Sequence, residues 1–179
     1  PFHWPVEFAE VFEKGGFDAF VGNPPFLGNK YWKDVLGSDL QLFAGLLLGE
    51  TPGKIDLAVL FHRRAYELLV DNGCYGLVGP VQAFEGGAIK IGLGRMLESG
   101  SVMRAIKALH WPGAAKVRVS VSWVRKGAYT GVAVLNGSPV ERIGPSLRSE
   151  TIRAEPKQLA VPAFWAFEGV HNGKGAAFL

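Results

Sequence analysis

The six residues Phe17-Asp18-Ala19-Phe20-Val21-Gly22 run straight into Asn23-Pro24-Pro25-Phe26, and that junction constrains the fold more than any other part of the chain. The first six read as a short buried strand, with Gly15-Gly16 before it and prolines after it. Proline fixes φ and has no backbone N–H, so neither Pro24 nor Pro25 can extend a ladder and the strand must stop. A strand that stops in a rigid turn carrying polar groups is where α/β folds place their sites.

The flanking segments supply the rest of an α/β pattern. Residues 1–16 are aromatic-rich, and Val6 to Phe12 reads as a short helix. Residues 27–54 are expected to form a loop with one or two short helices beside the site, because Gly45, Gly49 and Gly53 interrupt any long one. Ile55 to Val70 is the clearest helix. Ala58, Phe61, Ala65, Leu68 and Leu69 fall on one face, and Arg63, Arg64 and Glu67 on the other. Asp71-Asn72-Gly73 reads as its stop, with Gly73 suited to the left-handed position. Cys74 to Pro80 is a second buried strand, so strand, helix and strand predict a βαβ unit with parallel pairing. Ala88 to Leu97 reads as a helix and Val102 to Leu109 as a third strand.

Val117 to Val124 alternates. Val117, Val119, Val121 and Trp123 share one face, and Arg118, Ser120, Ser122 and Val124 form a less apolar one. Residues 128–144 read as a hairpin turning at Asn136-Gly137. Residues 146–163 look like a linker with Pro156 and Pro162, leading into an aromatic segment from Phe164 to Phe178.

Composition excludes several classes. The 179 residues suffice for one domain with a substantial core. A net charge of +3 permits a nucleic-acid partner without arguing for one, since no arginine-rich run occurs. The apolar runs are too short for a spanning helix, and the opening residues do not form a signal peptide. The single cysteine, Cys74, reads as a small core residue and fits a reducing, cytoplasmic setting. His3, His62, His110 and His171 lie far apart, and no metal-ligand spacing is present.

The turn itself carries chemistry. A planar exocyclic amine such as that of adenine is a poor nucleophile, because its lone pair is delocalised into the ring. Two acceptors aimed at its two N–H groups draw the nitrogen toward tetrahedral geometry and direct the lone pair at an electrophile. The Asn23 side-chain carbonyl can be one acceptor and a backbone carbonyl in the turn, most naturally that of Pro24, the other. The prolines hold both rigidly, so little reorganisation accompanies reaction. Phe26 offers a face for a base to stack on. A bare turn with no ligand is the structural alternative.

Gly16-Phe17-Asp18-Ala19-Phe20-Val21-Gly22-Asn23-Pro24-Pro25-Phe26 closely resembles the catalytic motif of adenine-N6 DNA methyltransferases. The stretch from Phe2 to Phe12 resembles one in large fused restriction-modification and phage-defence methyltransferases of the type IIG or BREX-like kind. Asp56 to Phe61 with Arg64 to Leu69 is similar to the family's next motif, which helps shape the base pocket. His110 to Ala115 and Val119 to Trp123 are similar to its late antiparallel strand region. Phe167 to Val170 and Gly173 to Phe178 are similar to the entry of its target-recognition region.

The resemblance implies an α/β fold: the C-terminal half of a Rossmann-like methyltransferase sheet, parallel strands plus a late antiparallel one, flanked by helices. It implies a partial catalytic domain over residues 1–145 and a linker and recognition entry over 146–179. It also implies methylation of adenine N6 in DNA, with S-adenosylmethionine as donor and double-stranded DNA with a flipped adenine as partner. Asn23, Pro24, Pro25 and Phe26 would be catalytic, and Asp56, Leu57 and Trp111 would line the substrate. For Asp56 a helix-terminal charge, and for Trp111 a plain core or lid aromatic, are the structural alternatives.

One departure matters. The family's glycine-rich cofactor turn lies upstream of the catalytic motif, and the 22 residues before Asn23 contain none. Gly92-Leu93-Gly94 is expected to be structural. With no initiator Met either, the chain is expected to be a piece of a longer protein, inactive alone. Two other functions stay open: methyl transfer to a glutamine side chain or an RNA base amine, which present the same N–H pair, and a non-catalytic module.

Overall fold

A computed structural model describes residues 3–49, 55–112 and 117–150. The chain opens on two single turns of helix, α1 (Trp4–Glu7) and α2 (Ala9–Phe12), broken at Phe8. They press Trp4, Phe8 and Phe12 onto Phe17 and Phe20 of the first strand, with ring centroids 5.4–5.9 Å apart. This accounts for the aromatic-rich opening, since edge-to-face aromatic pairs each add about 0.5–1.5 kcal/mol beyond burial.

Strand β1 (Phe17–Gly22) has the expected bounds but is not buried. It is the edge of a six-stranded sheet ordered β1, β2, β4, β3, β5, β6, where β2 is Leu69–Pro80, β3 Ser101–His110, β4 Arg118–Arg125, β5 Ala133–Leu135 and β6 Ser138–Val140. β1 and β2 are parallel, with Phe20 beside Tyr75 and Gly22 beside Leu77. β4 lies antiparallel between β2 and β3. The mixed sheet with flanking helices is the Rossmann-like methyltransferase arrangement expected from the sequence. β5 and β6 turn at Asn136 and Gly137, both at positive φ, as a two-residue hairpin requires.

Between β1 and β2 the chain forms α3 (Trp32–Leu36), α4 (Ser38–Leu48) and α5 (Leu57–Leu68). Gly45 does not break α4; the helix runs through it and ends at Gly49, whose φ of 72° is the left-handed cap. α5 matches its pattern with one rotation of face. Phe61 is 44% exposed, whereas His62 is buried against Tyr75, Nδ1 lying 3.1 Å from the phenol oxygen. The Asp71-Asn72-Gly73 stop is also displaced. The chain passes from α5 into β2 at Leu69, and Asn72, not Gly73, takes positive φ. Gly73 instead allows a close backbone approach, since a Cβ there would lie 3.0 Å from the Asp18 carbonyl.

The segment read as a helix from Ala88 is irregular. One turn, α6 (Gly87–Ile89), widens over Lys90–Gly94 around Gly92, whose backbone is non-helical. Gly92 packs closely on Val59 of α5, where a Cβ would lie 3.1 Å from the valine methyl.

β4 places its two faces against their apolarity. Ser120, Ser122 and Val124 are fully buried on the side where α5 packs, beside Gly79, Leu77 and Tyr75. Val121 and Trp123 turn to the opposite side and stay partly exposed, with Trp123 lying across Gly76 and under the Arg104 guanidinium. Val21, on that same side of β1, is 91% exposed.

A short ladder follows, pairing β7 (Arg142–Ile143), at the end of the segment read as a hairpin, with β8 (Ser149–Glu150), inside the segment read as the start of a linker. The readings of 151–179 as linker and recognition entry lie outside the described residues. Cys74 is half-buried and unpaired. Among the described residues no helix is long and apolar enough to cross a membrane, and no metal-binding cluster occurs.

Candidate active site

Because β1 and β2 are parallel, their C-terminal ends share one edge of the sheet. Asn23 leaves that edge directly after Gly22, which is still in register with Leu77. Asn23, Pro25 and Phe26 are exposed, while Pro24 is buried. The buried proline seats the turn in the protein, and Asn23 stays exposed at its start. Phe26 keeps 37% of its surface, enough for a ring face to stack on a planar group.

The far end of the turn is tied to α5. The Leu27 N–H donates to Asp56 Oδ1 at 3.2 Å, and the Leu27 carbonyl accepts from Leu57 N at 2.8 Å. The same carbonyl accepts from the indole N–H of Trp32 at 2.8 Å, and Asn29 N donates to the Ile55 carbonyl at 2.9 Å. Asp56 Oδ1 also accepts from Ala58 N at 2.9 Å, which makes it the N-cap of α5. The turn is therefore fixed by the β1–β2 ladder before it and by this cluster after it.

Asn23, Pro24 and Pro25 form one wall of an open cavity of about 470 Å³, which Phe43 and Leu47 of α4 and Leu60, Phe61 and Arg64 of α5 also line. That is the size of small-molecule sites in general. Its walls are almost wholly apolar, with Asn23 and Arg64 the polar side chains among them.

The candidate residues separate on this geometry. Asn23, Pro24, Pro25 and Leu57 meet at the cavity, and Phe26 stands beside it. Asp56 faces back to Leu27 and Ala58. Trp111 sits 37% exposed beyond the end of β3, three strand positions from β1 in the sheet order. It does not line the cavity. Lys30 lies over the Tyr31 ring, Lys33 is exposed, and Arg63 and Arg64 pair with Glu67. One contributor was not singled out from sequence: Trp32, fully buried, reaches the turn through its indole N–H, and nothing in its neighbours announces that. His62, 3% exposed, packs against Tyr75 and Phe84 in the core, where burial lowers its pKa to about 4.

A model of the Eco57I restriction-modification methylase family matches residues 1–107. Among solved structures, the type IIL restriction-modification enzyme MmeI, solved in complex with DNA, superposes with a TM-score of 0.64 at 18% identity. The match covers 85% of this chain and 22% of that one, so the fold is shared and the chain spans about a fifth of that enzyme. A putative class I S-adenosylmethionine-dependent methyltransferase from Listeria monocytogenes gives a TM-score of 0.47 at 14% identity, covering 69% of this chain and 38% of that one. No curated protein matches the chain.

Proposed function

From the premise that the chain belongs to the Eco57I restriction-modification methylase family, we propose that its Asn23-Pro24-Pro25-Phe26 turn is the amine-binding element of an enzyme that methylates adenine N6 in DNA. The observation that carries the reading is the placement of the turn: an exposed asparagine at the C-terminal end of a parallel strand, braced on both sides, at the rim of a cavity. The target adenine leaves the duplex, at a cost of about a few kcal/mol. Stacking on Phe26 returns roughly 1–3 kcal/mol. Asn23 Oδ1 accepts one N6–H and the Pro24 carbonyl the other. The nitrogen lone pair is thereby localised and aimed away from the two acceptors. Because Asn23 is held by strand and prolines, this polarisation needs no rearrangement at the moment of reaction.

The methyl donor proposed for the whole enzyme is S-adenosylmethionine. The cavity beside Asn23 carries few polar side chains, so most contacts to a ribose and an amino acid are assigned, within this proposal, to other parts of the enzyme. Double-stranded DNA and a cytoplasmic setting complete the proposal.

The test uses the whole enzyme with tritiated S-adenosylmethionine, unmethylated duplex DNA, RNA and protein acceptors. Label recovered as N6-methyldeoxyadenosine supports the reading. Label in glutamine or in RNA, with none in DNA, overturns it and leaves the amine-binding role of the turn to another planar N–H pair.

A further inference from the structure

We infer that Asp56 is a positioning residue for the catalytic turn, acting through the backbone of Leu27 rather than by touching substrate. This rests on the adenine reading above only for its kinetic arm. One oxygen, Oδ1, accepts from two backbone N–H groups far apart in the chain: Ala58, two residues on, and Leu27, 29 residues back. The first bond is an ordinary helix cap. The second has no role in α5. It adds a side-chain tie beside the isolated antiparallel bridge between Gly28 and Asp56, whose own bonds run from Leu57 N to the Leu27 carbonyl and from Asn29 N to the Ile55 carbonyl, and it holds the N–H of the residue that follows Phe26.

The mechanical consequence follows from the prolines. Between Asn23 and Leu27 the chain has two residues with φ locked near −65°. With those two torsions fixed, fewer degrees of freedom remain to absorb a shift at Leu27 before it reaches the Pro24 carbonyl and the Asn23 amide. The other ties at this point are backbone groups, or the indole of Trp32, and they hold the Leu27 carbonyl in the next peptide unit rather than its N–H. Asp56 is thus the one side chain that holds the Leu27 N–H. Its neighbour Leu57 lines the cavity, so one residue pair sets both the wall and the turn.

The two bonds can be separated by substitution. Asn at 56 keeps an oxygen in the position of Oδ1 and retains both. Ser caps a helix as well as Asp does but is one bond shorter, so it keeps the bond to Ala58 and releases Leu27. Ala loses both.

The experiment measures the whole enzyme and its D56N, D56S and D56A variants in two ways. Hydrogen exchange of the peptide following Phe26 reports on Leu27, with β2 and β4 peptides as the reference for global stability. Steady-state methylation gives kcat and KM separately. D56S is expected to exchange faster at Leu27 with the references unchanged. Its kcat is expected to fall roughly tenfold to a hundredfold, the scale of an ångström-level misplacement, with KM for the donor unchanged. D56N is expected to stay within about threefold of wild type on that scale. Wild-type exchange and wild-type kcat in D56S overturn the inference, as does D56N behaving like D56A, which would make charge the active property. A wild-type enzyme that leaves adenine unmethylated overturns the adenine reading alone, and the exchange of Leu27 then decides the positioning by itself.

Discussion

Asn23 is exposed and Pro24 is buried, so the amide of Asn23 can be removed without opening a cavity. Asn23→Ala is therefore expected to lower kcat of the whole enzyme by about a hundredfold or more. The melting temperature should hardly change, because surface substitutions of this kind stay within about 0.5 kcal/mol. A variant that keeps its methylation rate would remove the turn from the mechanism. Trp32→Phe tests the other side of the brace. It keeps the ring in its buried seat and deletes one donor to the Leu27 carbonyl, which retains Leu57 N. A loss of about 1 kcal/mol in urea unfolding is expected. Asn23 to Phe26 were legible because strand, prolines and aromatic are contiguous in sequence. The Leu27–Asp56 and Leu27–Trp32 bonds were not, because side chains that reach across a loop leave no periodic trace.

The order strand, helix, strand of β1, α5 and β2 was legible, since a 12-residue helix carries enough turns to reveal its apolar stripe, but the start of β2 at Leu69 came five residues earlier than the glycine stop suggested. Its rotation was not. Phe61 is more apolar than His62, and only the presence of Tyr75 on β2 makes the histidine the better inward residue. That choice has a pH signature. The His62 pKa falls from 6.5 in the unfolded chain to about 4 in the folded one, because burial disfavours the charged imidazolium. Between those values the unfolded state binds the extra proton. The stabilising contribution of the neutral histidine is thus complete above pH 6.5 and is lost as pH falls toward 4, by roughly 3 kcal/mol. Urea titrations at pH 7 and pH 4.5 should show the loss, and His62→Asn should remove most of it. Equal pH dependence in the two proteins would show that carboxylates elsewhere are responsible.

At the scale of the molecule, parallel pairing of β1 with β2 was foreseeable from the helix between them, whereas the insertion of β4 between β2 and β3 was not. Alternation in β4 identified two faces but could not say which one the helices cover, and the serine-bearing face turned out to be inside. β1 is left with one side of its ladder unpaired among the described residues and with Val21 almost fully solvated. Leu42, Phe43 and Leu46 of α4 add further exposed apolar surface. In colloidal terms such a strand is a template for its own copies, as open edges are in general, with Asp18 its one charge. The 179-residue chain expressed alone should self-associate as its concentration rises, with the sedimentation coefficient climbing accordingly. Val21→Lys places a charge on that edge and should hold the chain monomeric. If wild type and variant sediment alike, β1 is not the contact, and the apolar side of α4 becomes the surface that limits how this chain can be handled in solution.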